Sequence, residues 1–327
     1  MKSYQKAMIN LLKAAINEKK IIFSKENDID WDKMVDEAEQ HKISALIYSS
    51  MGKSSFKYVD NNILSKWKKY IWEDSVTQIR HINNISKLVY SLNEQGIEVI
   101  LLKGLILRNY YPKPEFRTMC DADILVKPED YLTVKKYLIK NGYKCYENNH
   151  PVHQCFMCSN QLVIEVHWKL INDNYLNSNI KDFEEDIWKK SIEVNICGVN
   201  CKTLCNEDFL IHMCLHMAVH AKYSGIGVRQ LYDVAVFVKN KNIEWTSFCS
   251  RISFYGISKF TKGLFELLHQ IFDINIPEDI LENEYISKQD LRLLLKNILS
   301  SGVHGKNEEK NGFGQLSKYS GNSKYIN

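Results

Sequence analysis

No stretch of this 327-residue sequence approaches the roughly 18 consecutive apolar residues that a membrane-crossing helix needs, so no membrane partner is expected. An excess of one charge is missing too. The sequence sets 43 Lys and Arg against 39 Asp and Glu, a net charge of +4, with Lys and Glu interspersed along most of it. Nucleic-acid-binding domains concentrate basic charge on one face, and composition supplies no such signal here. There is no internal repeat. No signal-peptide cleavage site follows the basic, amphipathic start MKSYQKAMINLLKAAINEKK, which Asn10 and Asn17 interrupt. The expected location is cytoplasmic.

A disulfide framework is also absent. The nine cysteines are odd in number and scattered through a long chain. Cys155 and Cys158 form one C-x-x-C, but Cys197, Cys201 and Cys205 are four apart and do not supply the other half of a structural zinc site. Reduced, mostly buried thiols are the expectation. What remains is the composition of an ordinary globular protein, 45% hydrophobic and 25% charged, long enough for two domains or one large one.

Residues 1–95 read as helices. Met8, Leu11, Leu12 and Ala15 have amphipathic spacing, Asp30 is a candidate N-cap for 31–41, and 61–94 carries Ile63, Trp67, Ile71, Ile79, Ile82 and Leu88. At Gly96 the pattern changes. IEVILLKG reads as a buried strand, LILRNYY as helix up to Pro112, and DADILV as a second strand. A helix follows from Pro128 to Asn141-Gly142. Further strands are predicted near 143–147, 153–158 and, most clearly, at LVIEVHWKL, 162–170. From Asn206, a candidate N-cap, helices resume, with further ones near 228–240, 244–254, 257–272 and 287–299. The fold class predicted is α+β: a small mixed β-sheet core at 96–205, an N-terminal helical region at 1–95, a C-terminal helical domain at 206–303, and a polar, partly disordered tail at 304–327.

Side chains alternate across a strand, so Asp121 and Asp123 share a face and Ala122, Ile124 and Val126 take the other. Two adjacent acids raise each other's pKa unless a cation neutralises them, and a hard divalent metal does this with oxygen ligands. In 162–170, Glu165 and His167 fall opposite Ile164, Val166 and Trp168. If the two strands are neighbours, Glu165 completes a three-carboxylate cluster able to hold two metal ions. Strand-edge solvation is the plainer alternative for each acid. Ahead of them, Lys103-Gly104 opens a predicted helix whose N-terminus would face an anion.

LLKG, then R-x-x-x-D-x-D-x-L-V, a helix ending in NGY, and EVHW together resemble the uncharacterised nucleotidyltransferase family of the polymerase-beta-like superfamily, over about residues 95–170. More loosely, the likeness extends through the His-rich helix and RQLYDVAVFV. The resemblance implies a nucleotidyltransferase core at 96–205 and in-line transfer of a nucleoside monophosphate from an NTP, ATP foremost, to a hydroxyl. It implies Mg²⁺, with Mn²⁺ as the alternative, bound by Asp121, Asp123 and Glu165, the last also helping to deprotonate the acceptor. Lys103 and Gly104 stand where the superfamily more often has Gly-Ser at a phosphate-binding turn. Arg117 is an expected phosphate contact, with a surface salt bridge as its alternative. His167 would support Glu165. Removing either aspartate is expected to abolish transfer with little loss of fold.

His212, His216 and His220 share one helix face but span about 12 Å, too far for a single ion, so a packing face is expected. Arg229 and Asp233, one turn apart, would pair with each other, and Tyr110 and Tyr111 would pack. Two other functions compete: a non-catalytic nucleotide- or partner-binding module of the same fold, which the Lys103-Gly104 departure favours, and a D-x-D glycosyltransferase, which would need a larger nucleotide domain before the acids. The acceptor is not legible. A small molecule, peptide or protein is favoured over RNA by the modest charge.

Overall fold

The apolar spacing near the N-terminus builds helices that bury one face each. The structure, a computed structural model, describes residues 1–146, 150–158, 162–170, 181–278, 280 and 285–302. Helix α1 (Ser3–Ile16) buries Met8, Leu11, Leu12 and Ala15. Asp30 caps α2 (Trp31–Gln40) through the Lys33 N–H at 3.1 Å. After α3 (Ser44–Ser50) comes α4 (Asn61–Asn93), 33 residues and about 50 Å long. Helix α4 buries Trp67, Ile82, Leu88 and Leu92, while Trp72, Val76 and Ile79 lie exposed one or two turns apart.

Among the described residues the strands fall between Ile100 and Thr203: β1 (Ile100–Leu101), β2 (Asp121–Leu125), β3 (Lys144–Cys145), β4 (His153–Met157), β5 (Val163–His167), β6 (Ile192–Ile196) and β7 (Val199–Thr203). They form one mixed seven-stranded sheet in the order β3-β4-β5-β2-β1-β7-β6. The pairs β2–β5 and β1–β7 are parallel, and the remaining neighbours are antiparallel. Helix α5 (Gly104–Leu107) follows β1, α6 (Tyr131–Lys140) follows β2, and α7 (Lys181–Lys190) precedes β6.

Helices α8 (Asn206–Tyr223), α9 (Val228–Asn240), α10 (Trp245–Phe254), α11 (Ser258–Phe272) and α12 (Lys288–Ser301) complete the described chain. Their contacts are aromatic-rich, with Phe209 stacked on Phe237 and Phe248 on Phe265. A single cluster of buried apolar side chains runs from Tyr4 on α1 through the sheet to Leu299 on α12. Among the described residues, no helix is long and apolar enough to cross a membrane.

Several local expectations shift. Helix α7 and the β6–β7 hairpin lie where the pattern above predicts nothing. The hairpin turns at Cys197 and Gly198, both with positive φ (48° and 85°), as a two-residue turn of the hairpin type requires. Strand β1 keeps two residues of its predicted run. The cap of α8 is Cys205, one residue before Asn206, and Pro128 lies in a turn just ahead of α6. Of the nine cysteines, all free, three are buried, so the thiols are less buried than expected. The tail from 304 lies outside the described residues.

Candidate active site

Strand β2 carries the two aspartates and its neighbours set their surroundings. Asp121 opens to solvent at the first position of the strand, whereas Asp123 is only 4% exposed. Parallel pairing sets Asp123 opposite Glu165 and Leu125 opposite His167. Antiparallel pairing on the other side of β5 sets Cys155 opposite Glu165 and His153 opposite His167. Directly opposed residues share a face, so Asp121, Asp123, Glu165, His167, His153 and Cys155 line one surface of the sheet.

Asp123 is the hub. Its Oδ1 accepts from Lys103 Nζ at 2.7 Å and lies 3.1 Å from His167 Nε2. The same His167 nitrogen is 3.5 Å from Glu165 Oε2, and His153 Nε2 approaches that oxygen at 3.9 Å. Glu165 Oε1 accepts a weak bond from Cys155 Sγ at 3.7 Å. Burial alone would raise the Asp123 pKa, but Lys103 and His167 outweigh it and hold the carboxyl well below its ordinary value. Burial would lower both Lys103 and His167, yet the surrounding carboxylates hold each above its ordinary value. Asp121 moves up, through desolvation by its crowded surroundings and then through repulsion from Asp123. His153 falls to about 4, first by burial and then by the charge of His167.

Lys103 reaches Asp123 from an unusual backbone. Its φ is +43°, a conformation costing a non-glycine residue on the order of 1–3 kcal/mol. Gly104 beside it is closely approached: a Cβ would sit 2.7 Å from Arg117 Nη1 and 2.8 Å from Met119 Sδ, so those side chains would have to move. The helix expected to aim N–H groups at an anion is the single turn α5, followed by a 3₁₀ turn at Arg108–Tyr110.

The segment entering β2 is clamped from two sides. Arg117 donates from Nε and Nη2 to the two oxygens of Asp233 on α9, at 3.2 and 2.9 Å, and from Nη1 to the Thr118 carbonyl at 2.7 Å. Tyr111 donates to Asp233 Oδ1 at 2.6 Å. Arg229 donates to both Thr118 oxygens rather than to Asp233. From α4, Gln78 exchanges two hydrogen bonds with the backbone of Met119. Arg117 thus sits in a buried ion pair, not a surface one, and all three guanidinium nitrogens face inward partners. Tyr110 packs edge-on against Phe237.

The α8 histidines lie within electrostatic reach of this face. His212 is lowered to about 3, first by burial and then by Lys103, and His216 and His220 are lowered for the same two reasons. His216 and His220 meet through their Nε2 atoms at 3.1 Å, and His220 Nδ1 contacts Ser224 Oγ at 2.8 Å.

The three acids do not close around one point. Among the described residues, the group whose ligand atoms all lie within 4.8 Å of one another is His153, Glu165 and His167. His153 escapes a reading of the sequence that looks for acids. Its signal is the alternation His153, Cys155 in the strand paired with Glu165 and His167.

A small mixed sheet with acids in register on a parallel strand pair, with helices before and after it in the chain, is the α+β class predicted from the sequence. The chain belongs to the family described as uncharacterised nucleotidyltransferase, whose profile matches residues 27–273. No curated protein matches it. Among solved structures it is similar to the lincomycin-bound lincosamide antibiotic adenylyltransferase LnuA, at 15% identity and TM-score 0.34, covering 47% of this chain and 94% of that one. It is also similar to an antigenic nucleotidyltransferase-like protein from Paracoccidioides brasiliensis, at 11% identity and TM-score 0.39, covering 62% and 98%. A third is ANT(2'')-Ia in complex with adenylyl-2''-tobramycin, at 10% identity and TM-score 0.38, covering 52% and 97%.

Proposed function

We propose that the protein transfers a nucleoside monophosphate from an NTP, ATP foremost, to a hydroxyl of a small-molecule, peptide or protein acceptor. The observation that carries this reading is the register of Asp123 against Glu165, with Asp121 on the same face of β2. The donor chemistry fits a hard divalent cation, since the three groups are carboxylates on adjoining strands. Asp121, Asp123 and Glu165 would between them hold two Mg²⁺ ions, or Mn²⁺ in their place, since the three do not close around one point. When bound, such an ion neutralises charge on the phosphates of the NTP.

The remaining work falls to the chain itself. Glu165 helps to take the proton of the acceptor hydroxyl, its carboxylate standing beside His167 and His153. Lys103 places a positive charge beside Asp123 and is the group available to meet the β- or γ-phosphate from the Lys103-Gly104 turn. Arg117, its donors spent on Asp233 and Thr118, holds the entrance of β2 rigid instead of touching phosphate. His167 keeps Asp123 and Glu165 oriented through one nitrogen. Positioning of this kind supplies much of the acceleration in phosphoryl chemistry.

The test is incubation with Mg²⁺ and each α-labelled NTP together with fractionated cell extract. Label appearing on an acceptor or on the protein itself is the expected result. If calorimetry detects no NTP binding with Mg²⁺ present, the reading fails. A non-catalytic module is the second reading, favoured by the lysine already paired with Asp123. It predicts NTP binding without label transfer.

A further inference from the structure

We infer that His153, Glu165 and His167 form a binding site for a transition-metal dication of the Zn²⁺ or Co²⁺ class, distinct from the Mg²⁺ set of Asp121, Asp123 and Glu165 but adjoining it, with Glu165 common to both and His167 Nε2 also 3.1 Å from Asp123 Oδ1. The ligands come from two adjacent strands. His153 and His167 are directly opposed, and Glu165 stands two residues along the same face of β5. Glu165 Oε2 is 3.5 Å from His167 Nε2 and 3.9 Å from His153 Nε2, and the three atoms all lie within 4.8 Å of one another. A tetrahedral ion with bonds of about 2.0–2.1 Å spaces its ligands about 3.3 Å apart, so closure asks for side-chain shifts of roughly 1 Å or less.

The hydrogen bonding of the two rings points the same way. Nδ1 of His153 and Nδ1 of His167 are buried without a hydrogen-bond partner among the described residues. The ring of His153 turns Nε2 toward Glu165 at a separation too long for a hydrogen bond and suited to a shared ion. A tautomer protonated at Nε2 leaves a buried lone pair at Nδ1, and one protonated at Nδ1 sets a lone pair against a carboxylate. A dication at the Nε2 side resolves the second conflict. Cys155 Sγ bonds to Glu165 Oε1, which leaves Oε2 as the ligand atom. His150 packs at a tilt against His153, with ring centroids 3.8 Å apart, and limits how that ring can turn.

Two imidazoles and one carboxylate do not suit Mg²⁺, which prefers an all-oxygen shell, but they do suit zinc-class ions. Three protein ligands leave an open position for water or an oxygen of a second substrate. That second role rests on the transferase reading; metal binding does not.

Co²⁺ is the probe, titrated into the metal-stripped protein without nucleotide or acceptor while visible d–d absorption is followed. The expected outcome is a saturable absorption that His153→Ala weakens at least about tenfold and Asp121→Asn leaves within about twofold. Circular dichroism checks that each variant folds. Pulsed EPR of bound Cu²⁺, an ion that imidazole binds well, reads nitrogen coupling in the unsubstituted chain and needs no variant. Absence of Co²⁺ binding, indifference to His153→Ala in a folded variant, loss of binding in Asp121→Asn, or absence of nitrogen coupling each overturns the inference. Failure of NTP transfer with Co²⁺ binding intact leaves it standing and counts against the transferase reading alone.

Discussion

At the scale of single residues, the two aspartates are not equivalent. Asp121 lies at the open end of β2 and is crowded by like charge, whereas Asp123 compensates the buried Lys103 and His167. Asp121→Asn is therefore expected to abolish label transfer while unfolding free energy, read by urea titration, changes by no more than about 0.5 kcal/mol. Asp123→Ala should lose activity and also about 3–5 kcal/mol, because Lys103 is left buried without its partner. Little loss of fold is accordingly predicted for Asp121 alone and no longer for Asp123. Gly104→Ala tests the turn behind them. The added methyl meets Arg117 and Met119, so the variant should lower both stability and transfer, with melting temperature and initial rate as the two readouts.

At the scale of elements, the site is held by side chains from helices far away in sequence. Asp233 on α9 binds Arg117 and Tyr111, which fixes the approach to β2. Asp233→Ala is expected to cost about 3–5 kcal/mol in chemical denaturation, and a paired Arg117→Met, Asp233→Leu change should recover much of that loss. Glu98, just before β1, bonds Lys127 beyond β2 and Lys202 on β7. These lysines lower its pKa from 4.5 to about 2. A lowered carboxyl contributes its stability above the unfolded value and loses it as pH falls through the folded one. The acid limb of the stability profile between roughly pH 4.5 and 2 should accordingly flatten in Glu98→Gln, as thermal melts across that range would record.

For the whole molecule, the sequence reading recovers the long helices and the acid-bearing strands because amphipathic spacing and strand alternation are local signals. Val228–Asn240 is predicted to the residue, and the adjacency of the Asp123 and Glu165 strands is real. Three kinds of feature escaped. The β6–β7 hairpin rests on a Cys197-Gly198 turn whose signal is weak without a glycine at both positions. The partner of Arg117 lies on α9, over a hundred residues on, and no local pattern encodes that distance. The site histidine His153 becomes visible only once β4 is paired with β5. Strand β1 has a further consequence for how the chain assembles. It lies inside the sheet, yet one of its two flanking strands is β7, and Leu101 takes a hydrogen bond from Thr203, 102 residues later. A ribosome-bound chain that has not reached Thr203 carries β1 with one bare edge. Such a long closure slows folding and exposes the edge to a second nascent copy. A fragment ending at residue 191 should thus be more protease-sensitive or more self-associated than one extended through 203.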